Sequence, residues 1–502
     1  MHKSLRTLLI AAVTIALAGT ATAQNVLRIA QTSGPPTLDA HFNPSRITGD
    51  IAMNVFEGLV GYGEDLSIRP QLAESWTISD DGLLYTFTLH EGVEFHNGEV
   101  LTADDVLASL ERVLAISPEQ ARFGSISEIN VVDDHTVELV LSEPNSVLLQ
   151  ALAATYAVVM PRSAIEGVPG GEAEIVGTGP FQLAEWLPDQ HVRLVPFENY
   201  VSRNGEANGN VGQKDVLVDE LRFLPVPEES ARANGLQTGE YDVADFLPYS
   251  AGRRLAQEPG LEIVEVEQHM MVFAYFNFRD EHISANTSFR QAVQAVLNHD
   301  EIMAVASEGY GSLNPSYYFG FWTSDGGTHL FDQRDPELAR QLLADAGYNG
   351  ETVTIITNTG YDVMYRSALM IERQLQSIGV NTAVEVYDWP GALAARAEGN
   401  WDIFLSGHLL QEDPSVIEFH LQPSSSPFAF GSEQVSEYFQ QGRLETDYDV
   451  RHDIYTDMQA YLYENAVWIK LFDQNIFQGI NARVEGYTPW PYMRGFNVSV
   501  GE

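Results

Sequence analysis

The chain contains no cysteine. That absence excludes disulfides, zinc–thiolate sites, iron–sulfur clusters and cysteine nucleophiles. Basic residues are scarce too: 27 lysines and arginines stand against 70 aspartates and glutamates, a formal charge of −43. Nucleic acid needs a basic footprint for its phosphates, so no such partner is expected. Lys3, Lys214 and Lys470 are the only lysines; every other basic residue is arginine. Apolar runs are short, and Leu8 to Ala18, broken only by Thr14, is too brief to span a bilayer comfortably. Catalytic motifs are missing as well. There is no Gly-x-Ser-x-Gly elbow, no phosphate loop ending in Gly-Lys and no His-Glu-x-x-His helix. The 13 histidines are dispersed, and the closest pair, His90 and His96, flanks a turn rather than sharing a helix face.

What is present is apolar mass. With 44% hydrophobic and 10% aromatic residues, a chain of 502 residues can bury two or three lobes rather than one core. Residues 1–23 read as a secretory signal: Lys3 and Arg6 precede the apolar run, and Ala21-Thr22-Ala23 is a small-x-small cleavage site before Gln24. No cysteine is available to carry acyl chains, so a free periplasmic protein is expected, not a lipid-anchored one. The acidity has two readings, an acidic cleft that attracts a cationic ligand or a carboxylate-coated surface hydrated in a salty medium. Acidic residues are scattered along the whole chain, which favours the surface.

Periodicity places the elements. Asn25 to Ala30 alternates like a strand, and residues 47–60 carry a helical apolar stripe of Ile51, Val55 and Leu59 with Met53, Phe56 and Val60. Asp80-Asp81-Gly82 turns one hairpin between Trp76 and Phe95, and Asp133-Asp134 turns a second between Ile129 and Leu141. Thr102 caps a helix with Asp104 and Asp105 in its first turn. In the second half, Ser288 is read as the cap of a helix with Phe289, Ala292, Val293, Val296 and Leu297 on its apolar face. Asp335-Pro336 opens another helix, which Gly347 stops. Strand Val353–Thr357, helix 364–378 and strand Ala383–Val386 then suggest a parallel sheet. Aromatics stand among small and amide residues at Tyr275-Phe276-Asn277, Tyr317-Tyr318-Phe319, Trp389 and Trp490-Pro491-Tyr492, the surfaces a binding cleft uses.

Several blocks together resemble a known family. They are Asn54-Val55-Phe56-Glu57-Gly58-Leu59-Val60, Pro70-Gln71-Leu72-Ala73-Glu74-Ser75-Trp76, Phe95-His96-Asn97-Gly98 and Thr102-Ala103-Asp104-Asp105-Val106. Gly177-Thr178-Gly179-Pro180-Phe181, Phe289-Arg290-Gln291-Ala292 and Ala339-Arg340-Gln341-Leu342-Leu343 continue the series in order. Over nearly its whole mature length the chain resembles the large solute-binding proteins of ABC importers, the family that binds dipeptides, oligopeptides and nickel. The resemblance implies an α/β protein of the type II periplasmic-binding-protein fold, with two ligand-binding lobes on mixed sheets and an additional small α+β domain. The expected division is lobe I at 24–55, 177–267 and 475–502, the extra domain at 56–176, and lobe II at 268–474. A hinge closes the lobes over a small molecule or peptide, which an inner-membrane ABC permease receives. A monomer without cofactor or metal is expected.

The same resemblance implies the site. In the peptide binders a tryptophan, an arginine seven residues on and a glycine-containing strand line the pocket; here Trp389, Arg396 and Gly407-His408 stand at that spacing. Tyr275 and Asn277 match the strand that contacts the ligand backbone, and Tyr318 joins them as an aromatic candidate. Arg396 is suited to hold a carboxylate with two hydrogen bonds. One position departs from the pattern: Gln411 stands where the peptide binders place an aspartate for the α-ammonium, with Glu412 and Asp413 next. Modified peptides and opine-like compounds therefore stay in view beside free peptides. A secreted hydrolase lacks a motif, and a nickel or haem carrier is disfavoured because His408 stands alone.

Overall fold

The computed structural model describes residues 25–203, 205–319, 322–409, 413–417, 421, 428–490 and 492–501. The expected signal segment and Gln411 lie outside them.

One sheet of 11 strands runs through the molecule. Its order is Asn381–Tyr387, Thr352–Asn358, Ile403–Leu409, Leu261–Phe276, Trp468–Asn481, Val243–Leu247, Val26–Gln31, Glu220–Pro225, His191–Pro196 and Phe181–Leu187, with Gly311–Ser312 added alongside Trp468–Asn481. Parallel and antiparallel pairs mix: Val26–Gln31 lies parallel to Glu220–Pro225, while the two long strands are antiparallel. Those two strands, Leu261–Phe276 and Trp468–Asn481, belong to both halves. Leu261 to Val266 opposes Ile476 to Asn481, Met270 to Tyr275 opposes Trp468 to Gln474, and the register slips between Val266 and Met270. A slipped register is where paired strands bend most readily.

Side-chain alternation sorts the cores. In the second half, Met270, Val272, Ala274, Ile403 and Leu405 pack under a helical layer with Phe289, Val293, Ala368 and Ile371. Their neighbours Met271, Phe273, Tyr275 and Phe404 face an aromatic core with Tyr317, Trp401, Tyr455 and Trp468 on the other side. In the first half, Leu27, Ile29, Leu221 and Phe223 face one core and Ala30, Ala244 and Leu247 another. The first of these cores is continuous with that of a four-stranded antiparallel sheet, Ala73–Ile78, Leu84–Leu89, Thr136–Leu141 and Ile126–Asp133, on which helix Ala103–Ile116 packs.

Both hairpins form as read, with Trp76 opposite Phe87 and Val131 opposite Val137. Asp335 caps helix Pro336–Asp345, its carboxylate accepting from the Glu337 and Leu338 amides. Two boundaries move. The helix read over 47–60 is Arg46–Val55, because Phe56 turns extended and Val60–Tyr62 pairs as a strand with Ile68–Pro70. The helix given to a Ser288 cap is Thr287–Val296, capped by Asn286, whose side chain accepts from the Ser288 and Phe289 amides. Long-range pairing wins in the first case, and an earlier, better acceptor in the second.

Candidate functional site

The wall on the second half is built on the antiparallel pair of Leu261–Phe276 with Ile403–Leu409. Met271 opposes His408, Phe273 opposes Ser406 and Tyr275 opposes Phe404, so Tyr275 and His408 share a face. The Tyr275 hydroxyl and His408 Nε2 are hydrogen-bonded, with the two rings edge to face at 5.7 Å. Helix Trp389–Glu398 covers that face, capped by Asp388, whose carboxylate accepts from the Gly391 amide. A seven-residue step is about two helical turns, which puts Trp389 and Arg396 on one side. Both meet the same ring: Trp389 stacks on Phe404 at 6.4 Å, and the Arg396 guanidinium lies 5.3 Å from the Phe404 centroid.

Arg396 has no carboxylate partner among the described residues. Its Nε is buried without a hydrogen-bond partner. Burial pushes its pKa below the usual arginine value. Burial, with the Arg396 charge adding to it, takes His408 down to about 4, so the imidazole is neutral at physiological pH.

The remaining expected residues sit elsewhere. Asn277 is fully buried, both its amide hydrogens donated to the Gly399 and Trp401 carbonyls. Tyr318 lies in the aromatic core, 6.1 Å from Tyr455, with its hydroxyl unpartnered among the described residues. Gly407 lies under Met270, whose Sδ would stand 2.6 Å from an added Cβ. Gln411 is outside the described residues. Asp413, the acid two positions on, is buried and paired with Arg451, Nη2 to Oδ1 at 2.7 Å.

Sequence reasoning missed the opposite wall. Arg46, first residue of its helix, pairs with Asp245 at 2.7 Å, and its guanidinium lies 5.8 Å from the Phe246 ring. Asp50 accepts from the Gln31 side chain at 2.8 Å and the Met493 amide at 2.9 Å; burial pushes its pKa up to about 6. Arg232, fully buried, donates to the carbonyls of Val226, Pro227, Asp245 and Phe246. A cavity of about 110 Å³ has Phe246 and Tyr249 on one side and Tyr361 and Val363 on the other, with the charged Glu229, Arg232, Glu308, Asp362 and Arg366 also in its lining. Tyr275 and Arg396 line a separate, smaller cavity of about 20 Å³ with Trp401, Phe428 and Trp468. Arg46 lies 199 positions from Asp245 in the chain, and in so acidic a sequence no spacing marks one carboxylate as its partner.

The two halves also touch. Phe246 meets Tyr361 edge to face at 6.4 Å, Arg253 pairs with Glu308 at 2.7 Å, and Ser146 donates through its amide to Arg443 O and through its hydroxyl to Gly442 O, each at 3.0 Å. Among the described residues no group of three or more metal-ligating side chains converges, and no helix is long and apolar enough to cross a membrane.

A cleft between two halves joined by two continuous strands is the geometry of a binding protein, and comparison with known families agrees. The family model for bacterial extracellular solute-binding proteins, family 5 (Middle), matches residues 67–426. The chain belongs to family 5. Members of this family are solute-binding proteins of ABC transporters. This family 5 protein is 27% identical over 480 residues to the glutathione-binding protein GsiB of Salmonella typhimurium, covering 91% of this chain and 90% of that one. It superposes on AgaA from A. tumefaciens R10, solved with agropinic acid, with a TM-score of 0.83 and 25% identity over 95% of this chain and 99% of AgaA. It also superposes on a dipeptide-binding protein of Pseudoalteromonas sp. SM9913, solved with Met-Leu, with a TM-score of 0.82 and 23% identity over 94% and 98% of the two chains. The fold of the family 5 protein is thus the α/β type II periplasmic-binding-protein fold that its sequence blocks imply.

Proposed function

We propose that this family 5 protein is the periplasmic substrate-binding component of an ABC importer for a small peptide or peptide-like solute bearing a carboxylate. The carboxylate meets Arg396, and Trp389, Phe404 and Tyr275 enclose apolar or planar parts of the molecule. Bending at the register slip between Val266 and Met270 lets the two walls close, and the closed form is what the inner-membrane permease reads. The protein makes and breaks no bonds in its cargo. The observation that carries this reading is the Arg396 guanidinium, partly desolvated beside Phe404 with its Nε unpartnered and no carboxylate of its own among the described residues. Glutathione, a dipeptide and agropinic acid, named for relatives and neighbours, are all carboxylate-bearing metabolites and fit the same anchor.

The test is a thermal-shift and calorimetric screen of the mature protein against di- and tripeptides, glutathione and opines, with mass spectrometry of whatever co-purifies. A carboxylate-bearing solute should raise the melting temperature in proportion to its affinity. If only carboxylate-free molecules do so, the reading is wrong.

A further inference from the structure

Two acceptors in the larger cavity have nothing to accept from. Gln474, on strand Trp468–Asn481, is 7% exposed and belongs to the lining. The Tyr249 hydroxyl donates to the Asn475 carbonyl at 2.8 Å, so its oxygen is left to accept from the Gln474 amide nitrogen, 2.9 Å away. The side-chain amide is thereby oriented, and its oxygen, Oε1, is buried without a partner among the described residues. Glu229, in the first turn of helix Glu229–Thr238, lines the same cavity and has no ion pair or hydrogen-bond partner among the described residues. Burial raises its pKa, Arg232 opposing the rise and Asp362 adding to it. The other charges of the lining are committed. Arg232 donates to four backbone carbonyls, and so holds Phe246 in a left-handed conformation with φ at +48°. Glu308 pairs with Arg253 at 2.7 Å, and Asp362 with Arg366 at 2.6 Å. Phe246, Tyr249 and Tyr361 add three rings, whose faces attract cations. At about 110 Å³ the space exceeds what a single water needs.

We infer that this cavity is a cation subsite, which takes the ammonium group of a basic side chain of the bound solute on the Glu229 carboxylate and Gln474 Oε1. This rests on the reading of the protein as a receptor for carboxylate-bearing, peptide-like solutes and adds that the cargo is basic as well. Among the described residues no three metal-ligating side chains converge, so the occupant is an organic cation and not a bare metal ion. Both halves supply the lining, Glu229 and Tyr249 from the first and Tyr361 and Asp362 from the second, so an occupant is held by both. Trp389 sets the subsite beside the carboxylate anchor. Its ring abuts Tyr361 at 5.6 Å and stacks on Phe404, the ring that the Arg396 guanidinium also meets.

The experiment is calorimetry of the full mature chain with the dipeptides Ala-Lys and Lys-Ala, set against Ala-norleucine and norleucine-Ala, which keep the alkyl stem and lack the charge. The parent should bind one lysine member at least about 10-fold more tightly than its norleucine counterpart, the scale of hydrogen bonds to a charged group. Glu229→Gln should shrink that ratio to about 3-fold or less, and Gln474→Met should reduce it too. Glu228→Gln is the control for the diffuse field of so acidic a protein. Glu228 stands one residue earlier, outside the lining, and its carboxylate accepts from the Ala231 amide at 2.7 Å, so its loss should leave the ratio in place. Dipeptide binding with no lysine preference in the parent, a preference that survives Glu229→Gln, or one that Glu228→Gln removes to the same extent overturns the subsite and leaves the receptor reading standing. No binding of any of the four dipeptides to the parent overturns the peptide-like reading, and the subsite with it.

Discussion

At the scale of single residues, Arg396 sets stability against binding. A partly desolvated guanidinium with no carboxylate among the described residues costs the ligand-free protein, and the same charge is the proposed anchor for cargo. Arg396→Met is therefore expected to melt no lower than the parent without ligand, yet to weaken a carboxylate-bearing solute by about 1–3 kcal/mol in calorimetry. Trp389→Ala should weaken binding by a similar amount; unchanged affinity in both variants would remove these two residues from the site. His41 makes a second single-residue case. It is buried, its ring bonded to the Val158 carbonyl at 2.8 Å and receiving an Arg112 hydrogen bond on Nδ1 at 3.2 Å, which fixes a neutral tautomer. Burial, reinforced by the Arg112 charge, pushes its pKa down to about 4. Between the unfolded histidine value of about 6.5 and that figure, the unfolded chain binds a proton that the fold refuses, so stability falls as pH falls through the window. Asp50, pushed up to about 6, works with the opposite sign, because the fold there keeps a proton that the unfolded chain releases. The His41 contribution is isolated by comparing variants: melting temperatures of His41→Gln should decline less steeply than the parent's between about pH 6.5 and 4. Parallel curves would show that His41 does not titrate as described.

At the scale of elements, the strand Ile403–Leu409 is the part whose packing most limits change. Gly407 opposes Val272, and an added Cβ would stand 2.6 Å from Met270 Sδ and 2.9 Å from the Met271 carbonyl. A sulfur at the end of a flexible side chain can move; a ladder carbonyl cannot. Gly407→Ala should cost about 1–3 kcal/mol of stability, read as a lower denaturation midpoint with an unchanged slope. An alanine variant as stable as the parent would mean that the strand has more room than its neighbours show.

At the scale of the whole molecule, the two described lysines explain how the charge is arranged. Lys214 pairs with Glu57 at 2.9 Å and Lys470 with Asp473 at 2.7 Å, and both are buried, so the described surface carries arginine as its only strongly basic side chain, beside many carboxylates. Like charges on that surface repel until salt screens them, over about 10 Å at 0.1 M and about 3 Å at 1 M. The melting temperature is expected to climb markedly between those two concentrations. A flat response would return the excess acidity to a local role, such as drawing in a cationic cargo.

Much of this architecture could be read along the chain, because its causes are local. Alternation marked both hairpins of the small sheet, Asp335-Pro336 marked a helix start, and the family resemblance singled out Trp389 and Arg396, which one helix then carries. Ordered blocks from Asn54 to Leu343 carried the family. Helix ends were less legible: Phe56 left its helix because strand pairing further on claimed the segment. What only tertiary structure decided were the meetings between distant segments. Arg46 found Asp245 199 positions away, Arg232 held Phe246 in a left-handed turn, and Asn277 spent its amide on loop carbonyls instead of facing the cleft. Periodicity tells a residue which face it will occupy, but not which face will come to meet it. With 70 acids along the chain, only distance in space can say which carboxylate answers a given arginine and which arginine is left for the cargo.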